Sequence, residues 1–167
     1  ENFPFMTFKV FNYMDTEVRV MRASFTGELG YEIYITPNHA LDLWKKIFHY
    51  GKAYDLVPYG TETMHLLRAE KGYVVIGQET DGTVTPLDLN FNWMIGKKKK
   101  DFIGKRSLSK IAFNESDRQK IVGLVPIDRK TSIPEGSHLV VDKNAKLPNP
   151  KLGHVSSSCW SVENNNP

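Results

Sequence analysis

A glycine-containing turn leads directly into a strand pattern in the stretch FTGELGYE, residues 25–32. The two glycines in Thr26–Gly30 permit positive φ angles and a close approach of the backbone, which predicts a tight turn. Polar and apolar residues then alternate over residues 31–35, as they do in a strand. Because successive side chains on a strand point to opposite faces, we expect Glu32 and Tyr34 to share one face.

A β-hairpin is predicted upstream of this stretch. Phe8 and Val10, followed by Val18 and Val20, place apolar residues near a period of two. The turn-forming residues 12–15 lie between the two runs. The hairpin and the strand after the glycine turn therefore predict an antiparallel sheet.

Two helices and a strand are predicted downstream. Apolar residues recur at helical spacing between Pro37 and Gly51. A second helix is predicted over residues 61–71, with Gly72 as its stop. The apolar run at residues 73–76 predicts a buried strand. This mixture of elements indicates an α+β domain.

The remaining chain predicts a second, smaller domain rich in strands. Short helical segments are expected at residues 86–92 and 104–113. Short strands are then expected at residues 120–125, 137–141 and 153–160. Their spacing is typical of a small barrel. We therefore divide the chain into an α+β domain, residues 1–113, and a partial C-terminal β-barrel domain, residues 114–167.

Composition limits the class of protein. The 167 residues are 40% hydrophobic and 25% charged with a net charge of +3, which indicates a globular chain and does not predict a nucleic-acid surface. With Cys159 as its one cysteine, the chain can form neither an internal disulfide nor a thiolate zinc cluster, so we expect a cytoplasmic protein. No apolar run approaches the ~20 residues of a membrane-spanning helix. The chain lacks an initiator Met and a signal-peptide pattern, and we expect it to be a portion of a longer protein.

Common catalytic and metal-binding signatures are absent from the sequence. It contains no HExxH motif, GxSxG elbow or phosphate loop, and its five histidines lack ligand spacing, so no catalytic residue and no metal site are predicted. The densest positive run, Lys97–Lys100, is interpreted as a solvated loop. The alternative is a contact with a polyanion such as a polyglutamate or phosphate tail.

Glu32 and Arg68 are the most informative polar pair. A carboxylate accepts two parallel hydrogen bonds from an amidine-like edge, and a guanidinium donates two to an oxyanion. Together these groups are suited to holding a flat heterocycle. From the residues alone, an ordinary ion pair is the alternative.

Five motifs along the chain connect it to a known family. TGELGYE at residues 26–32 and DFIGK at residues 101–105 resemble elements of the folate-dependent aminomethyltransferases, which include the glycine-cleavage T-protein. PYGTETMHLLRAEKG at residues 58–72 and GQETDGTVTP at residues 77–86 are more specific. They resemble the alpha subunits of heterotetrameric sarcosine oxidases, as does GHVSSS at residues 153–158. The resemblance covers nearly the whole chain.

The resemblance implies a C-terminal portion of a much longer oxidoreductase subunit. In that family sarcosine is oxidised at a flavin elsewhere in the complex, and the resulting imine reacts with tetrahydrofolate to give methylenetetrahydrofolate and glycine. Flavin, NAD and the other subunits are then expected outside this region. The family's catalytic aspartate belongs upstream of Glu1, so we expect the chain alone to be inactive.

The resemblance also assigns three residues to tetrahydrofolate binding. By position, Glu32 matches the family's pterin-binding glutamate and Arg68 its folate-site arginine. Phe25 stands where many T-proteins have a tyrosine near the pterin, and it keeps the ring but lacks the hydroxyl.

Two other functions stay open at this point. The first is a free-standing aminomethyltransferase of the T-protein type. The second is a non-catalytic assembly module, or a relative that contacts RNA through Lys97–Lys100.

Overall fold

The computed structural model describes residues 2–167. Glu1, where the predicted first domain begins, lies outside the described residues. The chain forms two compact units: the first ends at Tyr73, and the second covers Val74–Pro167. The predicted domain boundary between residues 113 and 114 lies inside the second unit and stays a prediction.

The first unit contains a three-stranded antiparallel sheet in the order β1–β2–β3. Its strands are β1 (Phe8–Tyr13), β2 (Thr16–Met21) and β3 (Glu32–Tyr34). Met14 and Asp15 join β1 to β2 with φ angles of 49° and 60°. Two consecutive positive φ angles give the turn a twist that suits a two-residue hairpin. The predicted hairpin and third strand are confirmed.

The end of β1 contacts α1 (Pro37–Gly51) through Tyr13. The Tyr13 hydroxyl donates to the Asp42 carboxylate, and the Lys46 ammonium lies 4.8 Å from the centre of the Tyr13 ring. Val18 belongs to the same face as Tyr13 and is buried. The other face of the sheet carries Glu32.

The second helix, α2 (Thr61–Glu70), ends in a glycine cap. Gly72 has a φ of +71°, its amide donates to the Ala69 carbonyl over 3.0 Å, and the Tyr73 amide donates to the Arg68 carbonyl over 2.8 Å. These two bonds form a Schellman motif, which satisfies carbonyls that the helix end leaves open. The predicted helix and its stop are confirmed.

The predicted strand at residues 73–76 is wrong. The Val75 carbonyl accepts hydrogen bonds from the amides of Gln78 and Glu79, each over 3.1 Å, and the Val75 amide donates to the Glu79 carboxylate over 2.6 Å. A turn therefore uses the backbone groups that a sheet partner would need. Ile76, expected to be buried, is 81% exposed.

The second unit has short helical segments. A 3₁₀ helix at Asn92–Met94 follows a series of turns where a helix over residues 86–92 was predicted. The helix predicted over residues 104–113 is interrupted: α3 covers Lys105–Leu108, and a separate 3₁₀ helix covers Ile111–Phe113. Lys110 has an extended backbone with ψ of 142°, which breaks the helical hydrogen-bond ladder between them.

A closed barrel is not shown in the second unit. Two strands, β4 (His138–Val140) and β5 (Lys151–His154), form an antiparallel pair with an irregular register between Leu139 and Val140. No strand is assigned over the described residues 120–125. The mixed α and β content is confirmed, whereas the barrel expected at residues 114–167 is not shown, because two paired strands leave both edges of the sheet open.

Little apolar surface is buried. Among residues 2–167 the buried apolar side chains are Val18 and Leu89. The accessible surface is 13670 Å², whereas two compact units of these sizes would together expose about 10,000 Å². No helix in the described part of the chain combines the length and apolar character needed to cross a bilayer.

Candidate ligand-binding site

Glu32 lies in a row of side chains that crosses the whole sheet. Phe8 pairs with Met21, and Met21 pairs with Glu32. Residues that pair directly across antiparallel strands place their side chains on the same face. The carboxylate therefore shares its face with an aromatic ring, Phe8, that is 56% exposed.

A second row lies beside the first. Val10 pairs with Arg19, and Arg19 pairs with Tyr34. The Arg19 guanidinium lies 5.1 Å from the centre of the Phe8 ring, which connects the two rows. We call this surface the Glu32 face, and it is formed by Phe8, Val10, Arg19, Met21, Glu32 and Tyr34.

The Glu32 carboxylate has a donor within its own strand. The Tyr34 hydroxyl donates a hydrogen bond to Glu32 Oε2. This bond raises the pKa of Tyr34 above its ordinary value, because an ionised carboxylate stabilises the protonated phenol. An open surface with rings and one oriented carboxylate is suited to a flat heterocycle that carries N–H donors.

The turn before Glu32 requires its glycines, as predicted. Gly27 has a φ of +80°, and a Cβ there would lie 2.4 Å from Lys71 Cγ. A Cβ on Gly30 would lie 2.6 Å from the Ala23 carbonyl oxygen. Lys71 also forms an ion pair of 2.9 Å with Glu28. The turn is thus held against the end of α2 by contacts that leave no room for larger residues.

Arg68 is placed differently from Glu32. It is 3% exposed, and its Nη1 donates to the Tyr73 carbonyl over 3.2 Å. Glu32 is exposed on β3 and bonds to Tyr34. The approach of Glu32 and Arg68 to one ligand therefore stays a prediction. Phe25, 37% exposed and between β2 and β3, also stays a predicted ligand residue.

A cavity of about 240 Å³ is lined in part by the glycine turn that precedes Glu32. It is lined by Phe5, Arg22, Ser24, Gly27, Glu28, Leu29, Gly30 and Tyr73. Arg22 Nη1 donates to the Phe3 carbonyl over 2.6 Å, while Arg22 Nε and Ser24 Oγ are buried without a hydrogen-bond partner. Sequence reasoning missed Arg22 and Ser24, because neither belongs to a periodic pattern. None of the three predicted ligand residues lines this cavity.

The family model of the GCVT N-terminal domain matches residues 1–99. The chain belongs to this family. The matched segment includes the three-stranded sheet, helices α1 and α2, and the three predicted ligand residues.

The curated relatives of this GCVT-family chain are of two kinds. It is 44% identical over 159 residues to the sarcosine oxidase subunit alpha of Corynebacterium sp. (strain P-1), an alignment that covers 90% of the chain and 16% of the relative. It is 35% identical over 161 residues to the protein of the same name from Rhizobium meliloti (strain 1021), covering 95% of the chain and 16% of the relative. The chain thus spans about one sixth of the length of these relatives.

The second kind of relative is the aminomethyltransferase. The chain is 35% identical over 123 residues to the aminomethyltransferase of Halothermothrix orenii (strain H 168 / OCM 544 / DSM 9562). This alignment covers 74% of the chain and 34% of the relative. The family resemblance inferred from the sequence motifs is confirmed.

In the second unit of this GCVT-family chain, Asp88 and Arg118 form a two-bond ion pair. Arg118 Nε donates to Asp88 Oδ1 over 2.8 Å, and Nη2 donates to Oδ2 over 2.5 Å. The Thr85 amide and hydroxyl also donate to Oδ2. The arginine lowers the pKa of Asp88 from 3.8 to about 2, against an opposing effect of burial. The pair joins two segments of the second unit that are 30 positions apart in the chain.

The lysine run and the possible metal ligands are the remaining candidate groups. Lys97–Lys100 are exposed, and the Lys105 ammonium donates to the Lys100 carbonyl. The solvated-loop interpretation stays a prediction. Within residues 2–167, no group of three or more His, Cys, Asp or Glu side chains is arranged to hold a metal ion.

Proposed function

We propose that this chain is the tetrahydrofolate-binding region of a sarcosine oxidase alpha subunit, where the imine from sarcosine oxidation is captured. The supporting observation is the position of Glu32 on an exposed sheet face beside Phe8 and Met21. Family membership and the two kinds of relative favour a folate-related activity.

The chemistry of the Glu32 face fits a reduced pterin. The ring presents neighbouring N–H groups of an amidine type, which pair with a carboxylate through two parallel hydrogen bonds. Glu32 provides that acceptor, and Phe8 and Met21 provide apolar surface for the ring. Phe25 and Arg68 are proposed as further ligand residues: Phe25 by packing on the ring, and Arg68 by its guanidinium at the end of α2.

The proposed reaction requires no redox step at this site. Tetrahydrofolate supplies two amine nitrogens that each form a bond to the methylene carbon of the imine as the C=N bond breaks, and their two hydrogens leave on glycine. Glu32 holds the pterin in place. Fixing the amine beside the imine replaces an encounter in solution, which is the main contribution that such a site makes. The oxidation itself, with flavin and NAD, is proposed to occur elsewhere in a complex with other subunits.

The aminomethyltransferase relatives support a second candidate. A free-standing transferase of the T-protein type would use the same pterin contacts without an attached oxidase. The coding sequence upstream of Glu1 separates the two: a dinucleotide-binding region supports the oxidase subunit, and an ordinary transferase length supports the alternative.

The test is calorimetric titration of the full-length protein, in its own assembly, with tetrahydrofolate. Glu32→Ala is expected to raise Kd about 10- to 100-fold, because it removes a charge-assisted pair of hydrogen bonds. Arg68→Ala should also weaken binding. Glu62→Gln, at an exposed carboxylate in the first turn of α2, is the matched control and should leave Kd unchanged.

A product assay separates the imine-capture step from binding. With sarcosine and tetrahydrofolate, the wild type should form methylenetetrahydrofolate, while Glu32→Ala should release formaldehyde by hydrolysis of the imine at the same rate of sarcosine consumption. Equal methylenetetrahydrofolate yields from both proteins would contradict the proposed role of Glu32.

A further inference from the structure

We propose that Tyr34 is a positioning residue that orients the Glu32 carboxylate and thereby sets its selectivity for ligands with a pair of adjacent N–H donors. This inference rests on the proposed function. It concerns a residue that the sequence motifs left without a role.

The geometry of β3 places the two groups together. Glu32 and Tyr34 are two positions apart, so both side chains lie on the Glu32 face. The Tyr34 hydroxyl donates to Glu32 Oε2. The backbone of each residue is fixed by its partner on β2, Met21 for Glu32 and Arg19 for Tyr34.

The hydrogen bond restricts an otherwise exposed side chain. A glutamate on an open surface samples many rotamers, and each ligand that binds it must stop that motion. Tyr34 has a rigid ring with few rotatable bonds, so its hydroxyl fixes one orientation of the carboxylate. Binding then costs less conformational entropy.

The bond also determines which acceptor positions remain. An ionised carboxylate has about four acceptor positions on its two oxygens. The Tyr34 hydroxyl occupies one position on Oε2. An outward position on each oxygen is left for two parallel N–H donors. A ligand with a single N–H donor gains less binding free energy from this arrangement, because one of the two carboxylate oxygens then stays without a ligand donor.

The charged neighbours of Tyr34 are compatible with a neutral hydroxyl donor. Arg19 is its cross-strand partner, and Glu17 accepts from Arg19 Nη2 over 3.3 Å on the same face. The bond to Glu32 holds the pKa of Tyr34 above its ordinary value of 10.0. The phenol therefore remains protonated and able to donate at neutral pH.

The experiment is a double-mutant cycle in the full-length protein, titrated with tetrahydrofolate. Tyr34→Phe removes only the hydroxyl and is expected to raise Kd about 3- to 10-fold. If Tyr34 acts through Glu32, the double variant Tyr34→Phe/Glu32→Gln should bind no more weakly than Glu32→Gln alone. Tyr31→Phe is the matched control, since the centre of the Tyr31 ring lies 5.6 Å from that of Phe3, a residue outside the Glu32 face. It should leave Kd unchanged.

A selectivity measurement provides a readout that a purely structural role would not change. The affinity of tetrahydrofolate is compared with that of its analogue without the pterin 2-amino group, which has lost one of the two donors. The preference for tetrahydrofolate should be smaller in Tyr34→Phe than in the wild type by about the same 3- to 10-fold factor. The thermal midpoint of each variant reports whether it is folded.

The outcomes separate this inference from the proposed function. If Glu32→Gln weakens binding but Tyr34→Phe changes neither Kd nor selectivity, the role of Tyr34 is overturned while the folate site stands. Additive effects in the double variant also overturn it. If wild type does not bind tetrahydrofolate, or Glu32→Gln has no effect, the proposed function fails first.

Discussion

At the scale of single residues, the Asp88–Arg118 pair shows how a buried carboxylate is kept ionised. Asp88 is 5% exposed, and its carboxylate receives donors from Arg118 and Thr85. Its pKa of about 2 in the folded chain lies below the ordinary value of 3.8. Because folding favours the ionised form, the pair contributes to stability above about pH 4, and this contribution is lost as pH falls through about 2.

Arg118→Gln is expected to lower the free energy of unfolding by about 2 kcal/mol at pH 7, since it leaves a buried carboxylate without its charged donor. The difference from wild type should shrink as pH falls from 4 through about 2, because Asp88 becomes protonated in the folded wild type over that range. Urea denaturation across this pH range measures both effects. Arg106→Gln, at an exposed position on α3, is the control. A pH-independent difference would contradict the assignment.

At the scale of elements, the end of α2 connects helix geometry to the candidate site. Arg68, in the last turn, donates to the Tyr73 carbonyl, and the next residues form the glycine cap around Gly72. The same region contacts the turn before Glu32 through Lys71, which pairs with Glu28. The cap therefore supports the segment that precedes β3.

Gly72→Ala is expected to lower the free energy of unfolding by about 1 kcal/mol, because a Cβ is strained at a φ of +71°. No atom lies within 4 Å of that Cβ, so backbone strain is the cause rather than a clash. Gly123→Ala, which also has open space but no positive φ, should not be destabilising. Thermal denaturation of both variants is the measurement. Equal midpoints would show that the cap adds nothing.

At the scale of the whole molecule, unburied apolar surface is the main feature. Ile103 and Ile127 are fully exposed, and Trp93 is 75% exposed. The accessible surface exceeds that of two compact units of the same sizes by more than 3,000 Å² on the area scaling of folded proteins. Exposed apolar surface in excess of that of a folded domain favours association with other protein.

The 167-residue chain expressed alone is therefore expected to bind the dye ANS and to elute ahead of a 19.1 kDa monomer in gel filtration. Ile103→Lys with Ile127→Lys should reduce both signals, because each change replaces an exposed apolar side chain by a charge. A monomer that gives no ANS fluorescence would contradict this expectation.

Local patterns determined the first unit well. The hairpin, the helix from Pro37 and the helix stop at Gly72 were predictable, because turn residues, side-chain period and caps act over a few neighbouring positions. The strand at residues 73–76 was not, since the same apolar run forms a strand only where a partner strand is present. The barrel expected at residues 114–167 is likewise not shown, since only two of its expected strands pair within the described residues.

Contacts between residues distant in sequence could not be predicted, because no local sequence pattern indicates them. Asp88 and Arg118 are 30 positions apart, and the unpaired atoms of Arg22 and Ser24 appear only once the chain is folded around the cavity. In contrast, the motif around Glu32 indicated the family. Alternation places Tyr34 on the same face as Glu32, but the hydrogen bond between the two side chains depends on their rotamers in the folded strand.

By itself, the sequence determined the family, the α and β mixture, the glycine turn before Glu32 and the alternation that exposes this carboxylate. These features depend on residue type and short spacing. Tertiary structure alone decided that Glu32 aligns with Met21 and Phe8, that Arg68 is buried against the Tyr73 backbone, and that the apolar run after it forms a turn. Strand register and burial depend on which distant segments meet, and that is settled by the free energy of the whole chain rather than by any local pattern.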